Sequence, residues 1–344
     1  MEKYLELLQS NRAFVKEGVL YSVSEKNHLL TGIEISSGKV RVLNKNPLRN
    51  RLDYICVIDE TIYMVDISAK WIAETNIREG EIVYFEMSIP QRVVENFALI
   101  DLFETKILMF LRYEPIIYIF DTIKKQFYTE ELNIKLCGNN IESVCRVGKE
   151  AVIFSSGMGK TIRYDLCKHM IVDSKELLLE DTVMYSLSSE DKIYVLSGDS
   201  LYDVSDCNSL VMTLENGAKS SKMCKCGDIF WFFPGKGDEI YKYDLAKRQL
   251  FRYVDYPDGY ASNRLEGWNR FVGKAEDEKY VYWCMRTNNR IMQIDRETGK
   301  EKWLKPILEN EEEFYSIVLN INGNILNEEL CDLDIFLSIV KSDM

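Results

Sequence analysis

The chain has 344 residues and carries 43 Lys and Arg against 55 Asp and Glu, a formal net charge of −12. Hydrophobic residues make up 46%, and Gly (18) plus Pro (6) only about 7%, which excludes wholesale disorder and collagen-like or linker-like chains. The acidic balance argues against nucleic acid or an anionic membrane surface as partner, since both reward clustered positive charge.

From the N-terminus onward, residues 1–18 contain no uninterrupted apolar run after the first lysine, so a secretory signal is not expected. No stretch reaches the roughly 18 apolar residues that a membrane span needs. The most apolar region, residues 106–120, is broken by Arg112 and Glu114. The nine cysteines are an odd number without regular spacing, and reduced thiols in a cytoplasmic protein are expected.

One unit then recurs along the chain. A β-rich run, a polar loop, a second β-rich run ending in an acidic residue, a tight turn and a third β-rich run follow one another. The clearest copy is residues 228–256, DIFWFFPGKGDEIYKYDLAKRQLFRYVDY. Short runs rich in Tyr, Phe and Ile, bounded by Gly, Pro and Asp, predict strands that are at least half buried. The acidic anchors read as Glu34, Asp66, Asp121, Asp165, Asp244 and Asp295, with Ser205 in the equivalent place of the fifth copy. Their spacings are 32, 55, 44, 40, 39 and 51, a mean of 43.5 residues. The long second step is read as an insertion at residues 76–98. An Asp after a strand can accept backbone N–H groups two residues on, and a following Gly supplies positive φ. Gly38 and Gly299, each four residues past an anchor, fit that role.

A period of 40 to 50 residues with about four strands per unit predicts propeller blades, each needing neighbours to cover its faces. The fold class expected is all-β, a seven-bladed β-propeller with six or eight blades as alternatives. One propeller domain would span residues 1–329, and a short C-terminal helix would occupy 330–344, where Leu333, Phe336, Leu337 and Val340 recur at helical spacing. Phe14 to Val23 and Phe314 to Leu319 are the candidates for a strand that closes the ring between the termini.

The repeat resembles β-propellers of the kelch-like, galactose-oxidase-central-domain-like type, over roughly residues 12–320. Ile294 to Trp303, IDRETGKEKW, is similar to the turn of pyrroloquinoline-quinone-type repeats. The double glycine of kelch repeats is absent, as are the Gly-His and Trp-Asp pairs of WD repeats. The quinone-type turn appears well only once, so the resemblance implies blade architecture and no quinone cofactor.

Motifs for chemistry are sparse. GMGKT, Gly157 to Thr161, lacks the upstream glycine of a phosphate loop and is followed by a strand, so it reads as a turn. Cys224 and Cys226 would face one side of a strand, but without further ligands nearby they read as packed thiols, and no metal is expected. The two histidines, His28 and His169, fall in loop and turn positions, which weakens any Ser-His or Cys-His catalysis. DYPDGY, Asp255 to Tyr260, reads as a turn and not a calcium loop.

Arginine is the more informative signal. Arg49, Arg51, Arg78, Arg92, Arg112, Arg264, Arg270, Arg286 and Arg290 fall in loops expected on one face of the ring. Guanidinium forks suit carboxylate, sulfate or phosphate. Tyr260, Trp268 and Asn269 add aromatic and hydrogen-bonding surface for a sugar or peptide. The ligand-binding set expected is Arg264, Trp268, Asn269, Arg270, Arg286, Arg112, Arg92 and Tyr260, forming an arginine-rich axial pocket for an anionic small molecule, carbohydrate or peptide. No cofactor is expected, and a protein partner is a further expectation. The alternative is a carbohydrate- or peptide-active lyase, epimerase or hydrolase at the same pocket.

Overall fold

The computed structural model describes residues 7–8, 12–24, 27–49, 52–78, 80–87, 97–134, 140–179, 181–214, 220–234, 239–258, 260, 271–285, 289–309 and 311–328. Twenty-eight strands form seven antiparallel sheets of four, each built from consecutive strands and each one blade. The blades span residues 14–42, 52–86, 97–131, 143–176, 183–213, 220–252 and 271–304.

Burial explains the ring. The middle strands are shielded on both faces: in Ile229–Pro234 (IFWFFP) every residue after the first is buried. A lone sheet could not do this, because successive side chains point to opposite faces. Seven apolar clusters result, one at each blade–blade interface. Between blades one and two, Tyr21, Val23 and Leu30 meet Ile55, Ile62 and Met64. Between six and seven, Trp231 and Phe233 meet Phe271 and Trp283. The seventh cluster joins Leu20, Leu29 and Ile33 of blade one to Tyr282, Cys284 and Ile291 of blade seven, and so closes the circle.

Closure differs from the expected strand exchange. Each blade keeps its own four strands, and the ends meet through face packing and isolated parallel bridges, Arg12 to Lys274 and Lys39 to Ile307. Phe14–Lys16 is the innermost strand of blade one. Phe314 to Leu319, the other candidate, lies within the helix Glu311–Glu328. Phe314, Val318 and Ile321 recur at helical spacing and enter the seventh cluster, while Glu311 and Glu312 in the first turn favour the positive end of the helix dipole. The helix expected at 330–344 lies outside the described residues.

The repeat register also shifts in two blades. Asp66 ends the second strand of blade two, not the third, and Asn76 takes the anchor place, its Oδ1 accepting the Arg78 N–H at 2.8 Å. Residues 83–86, read as part of an insertion, are the outer strand of that blade. In blade five the anchor is Asp203, which accepts from the Ser205 N–H and Oγ, and not Ser205. The anchors Glu34, Asn76, Asp121, Asp165, Asp203, Asp244 and Asp295 then stand 42, 45, 44, 38, 41 and 51 residues apart, a steadier period than the sequence reading gave.

The turn chemistry holds where glycine is missing. Lys125, His169 and Arg248, four residues past their anchors, adopt φ of 55°, 56° and 53°, beside 77° at Gly38 and 68° at Gly299. Asp121, Asp165 and Asp295 each accept two backbone N–H groups, from residues two and three positions on. Those bonds hold the three carboxyls below their usual pKa, and at Asp244 the Lys247 ammonium and backbone do the same. Groups depressed in the fold stabilise it above their unfolded pKa and lose that effect as pH falls through the folded value. The melting temperature should therefore fall as pH drops below about 4. A variant with all four aspartates changed to Ser should lose less across that window. Equal acid sensitivity in both proteins would contradict the assignment.

Candidate functional site

Antiparallel order sorts the loops. Connections between second and third strands, and from blade to blade, lie on one face, here the connection face. Turns after first and third strands lie on the other, the hairpin face. The expected pocket was placed on the connection face. Of its residues, Arg92, Arg264, Trp268, Asn269, Arg270 and Arg286 lie outside the described residues, as does Arg51 of the wider arginine set. Arg112 is on the connection face, where its Nη1 donates to the Glu142 carbonyl at 3.3 Å and its buried Nε has no acceptor among the described residues. Tyr260 is buried, stacked on Tyr256 at 4.1 Å with Trp303 edge-on. Arg49 sits between Trp71 and Tyr84, 4.0 and 4.3 Å from their ring centroids. Arg78 follows the third strand of blade two, so it belongs to the hairpin face, where it pairs with Glu60.

The innermost strands carry a second set of charges. Arg12, just before the first strand of blade one, donates to Asp101 Oδ1 of blade three at 3.2 Å and to the Ile100 carbonyl. Arg146 of blade four reaches the other oxygen of Asp101 at 2.5 Å. One carboxylate, 8% exposed, thus serves two guanidinium groups, and spans from blade one to blade four. Beneath Arg12, whose Cζ is 4.8 Å from the ring centroid of Tyr54, the buried Tyr54 hydroxyl has no hydrogen-bond partner among the described residues.

Blade seven repeats the arrangement. Glu276 lies 3.2 Å from Lys274 and 3.4 Å from Arg296. The Lys274 charge, then that of Arg296, holds the Glu276 carboxyl below its ordinary range against the opposing effect of burial. At Lys274 burial works against the charged form, but Glu276, Tyr185 and Cys224 outweigh it and its pKa is raised. Tyr185 of blade five is shifted upward, first by burial and against the fields of Lys274 and Arg12.

Lys274, Glu276, Arg296 and Cys224 border a cavity of about 420 Å³ on the hairpin face between blades five, six and seven. Ser188, Ser189 and Glu190 form one wall, Cys224, Lys225 and Gly227 the second, and Lys274, Glu276, Arg296 and Glu297 the third. Gly227 has φ of +55°, and a Cβ there would sit 2.3 Å from the Glu297 carbonyl, so the wall needs glycine at that point. The Lys225 side chain is only 8% exposed. Its carboxylate neighbour is Glu190, 3.7 Å away and itself 81% exposed. That gap is beyond hydrogen-bond reach, so a buried ammonium faces the cavity with a single loose counter-ion.

Arg12, Arg146, Lys225 and Lys274 lie beside or within innermost strands, outside the loops where a ligand was expected. The available signal was a cation between apolar residues in an innermost strand, as in VCRV, MCKC and VGKAE. Among the described residues no group of three or more His, Cys, Asp or Glu is placed to hold a metal ion.

No family model matches the chain, and no curated protein matches it. Solved structures do. A virginiamycin B lyase from Staphylococcus aureus is similar at 11% identity and a TM-score of 0.60, over 83% of this chain and 96% of that one. BamB from Moraxella catarrhalis is similar at 12% identity and 0.52, over 80% and 81%. PorZ of the Porphyromonas gingivalis type-IX secretion system is similar at 8% identity and 0.59, over 89% of this chain and 39% of that one. At such identities the likeness establishes a β-propeller.

Asp101→Asn removes the shared carboxylate and leaves two guanidinium groups facing one another. With both arginines about a third exposed, the cost should be about 1–3 kcal/mol, read as a lower urea midpoint. An unchanged midpoint would mean the brace contributes nothing to the ring.

Proposed function

We propose that this propeller is a ligand-binding scaffold and that its axial funnel, on the hairpin face, takes a small anion bearing carboxylate or phosphate groups. The observation that carries the reading is the placement of buried cations near the axis in a chain of net charge −12. Each of the two central carboxylates is shared by two cations, Arg12 with Arg146 and Lys274 with Arg296, which leaves one unit of positive charge per triad. The first triad stands outside the cavity lining, which itself carries Lys225, Lys274 and Arg296 against Glu190, Glu276 and Glu297; Glu190 and Glu297 are exposed at the rim, whereas the Lys225 side chain is only 8% exposed. A recess with low-dielectric walls strengthens the field of the deeper cations, and an entering anion supplies Lys225 with a closer acceptor than Glu190.

Binding is favoured here over catalysis. A histidine-to-alanine variant of the virginiamycin B lyase is described as catalytically inactive. In this chain the His28 ring meets the Leu48 carbonyl, and His169 pairs with Glu130 on the outer part of blade four. Neither lines the funnel. The kelch-like grouping rests on repeat period and turn chemistry alone. A cytoplasmic location belongs to the same proposal, supported by seven described cysteines that are all unbridged. The connection-face set of Arg264, Trp268, Asn269, Arg270, Arg286 and Arg92 stays as a second proposed contact surface, supported by its residue types.

Calorimetric titration at low salt with citrate and with inorganic phosphate tests the funnel. One of these should bind, and Lys225→Ala should weaken it by about tenfold or more, the worth of a charge-assisted hydrogen bond. Affinity should also fall with added salt. Binding unaffected by both Lys225→Ala and Lys274→Ala would overturn the proposal.

A further inference from the structure

The first strand of blade six, Ser220–Cys226, places Cys224 and Cys226 two residues apart in regular register, paired with Trp231 and Ile229. Side chains at that separation share one face. Both thiols are buried, at 3% and 1% exposure, and they hydrogen-bond to each other. The Trp283 indole N–H donates to Cys224 Sγ at 3.3 Å. Cys224 also lines the cavity whose walls carry Lys225, Lys274 and Arg296. Two thioethers, Met285 and Met292, belong to the same packed cluster.

This arrangement is poorly suited to a disulfide. An extended strand separates residues i and i+2 by about 6.6 Å, at the far end of the range that a disulfide tolerates. It is equally unsuited to tetrahedral zinc, which needs about four ligands, because no third His, Cys, Asp or Glu joins the pair among the described residues. Two thiolates held apart on one face can instead grip a soft ion in linear, two-coordinate fashion.

We propose that Cys224 and Cys226 form a two-thiolate site for a soft monovalent cation of the copper(I) class. Soft sulfur ligands select such ions over hard ones. Binding replaces both thiol protons: one Cu⁺ and two thiols give an anionic bis-thiolate complex and release two protons, with no change of oxidation state. The complex carries one negative charge, which Lys274 and Arg296 beside it counterbalance. The site shares a wall with the anion funnel but does not depend on it.

The test uses the full chain, reduced and kept free of oxygen, titrated with Cu(I) in the presence of a chromophoric Cu(I) chelator. The protein should withhold one equivalent. Cys224→Ser and Cys226→Ser should each lower affinity at least 100-fold, while exchange of the exposed Cys167 and Cys207 to Ser changes nothing. Zinc(II) offered in the same way should not be retained. Bound copper should also protect Cys224 and Cys226 of the unmutated chain from alkylation, mapped by mass spectrometry, which keeps the proposal testable if a variant fails to fold. Full surrender of copper to the chelator, retention by the Cys224→Ser/Cys226→Ser double variant, or unchanged alkylation would each overturn the assignment.

Discussion

Face-to-face packing between neighbouring blades is the constraint that governs this molecule. Each four-stranded sheet buries apolar side chains on both faces, and nothing within one blade can cover them. Seven clusters at seven interfaces satisfy that requirement, and the last, joining blades seven and one, covers the two faces that an open row of blades would leave exposed. Burial on the order of 25 cal/mol per Å² drives it without directional preference. A ring is the arrangement in which no blade is left with an open face.

The same packing dictates where polar chemistry can go. The faces are filled, so charged groups gather in turns, in the third and outer strands, and in the innermost strands around the axis. Around the axis, side chains from blades that are distant in sequence converge. Arg12, Asp101 and Arg146 come from blades one, three and four, and a carboxylate shared between two cations ties them across the ring. Lys274, Glu276 and Arg296 do so within blade seven. The placement of Lys225 deeper than the exposed Glu190 and Glu297 of the funnel is therefore a product of ring geometry as much as of composition.

Legibility in the sequence followed the same division. Blade number and period were readable because the turn after the third strand is a local device: an acceptor side chain, then a residue of positive φ. The device operates with Lys125, His169 and Arg248 as well as with glycine, so a search for glycine alone understates it. Asp66 misled because an Asp can end either a second or a third strand, and only pairing tells which. The helix over Phe314 to Leu319 was masked by a short apolar run that also suits a strand. The funnel was illegible because, although cations among apolar residues such as Lys225 in MCKC stand out locally, what they face depends on which inner strands become neighbours, a long-range fact.

Crystals grown with bromide, or soaked in it, give the most direct test of the central claim that the funnel of this acidic ring presents buried cations to an entering anion. Anomalous scattering locates each ion without regard to any assumed ligand. The account places a strong peak on the hairpin face, within contact distance of Lys225 and close to Lys274 or Arg296. Peaks confined to surface lysines, with the funnel vacant at saturating bromide, would contradict it.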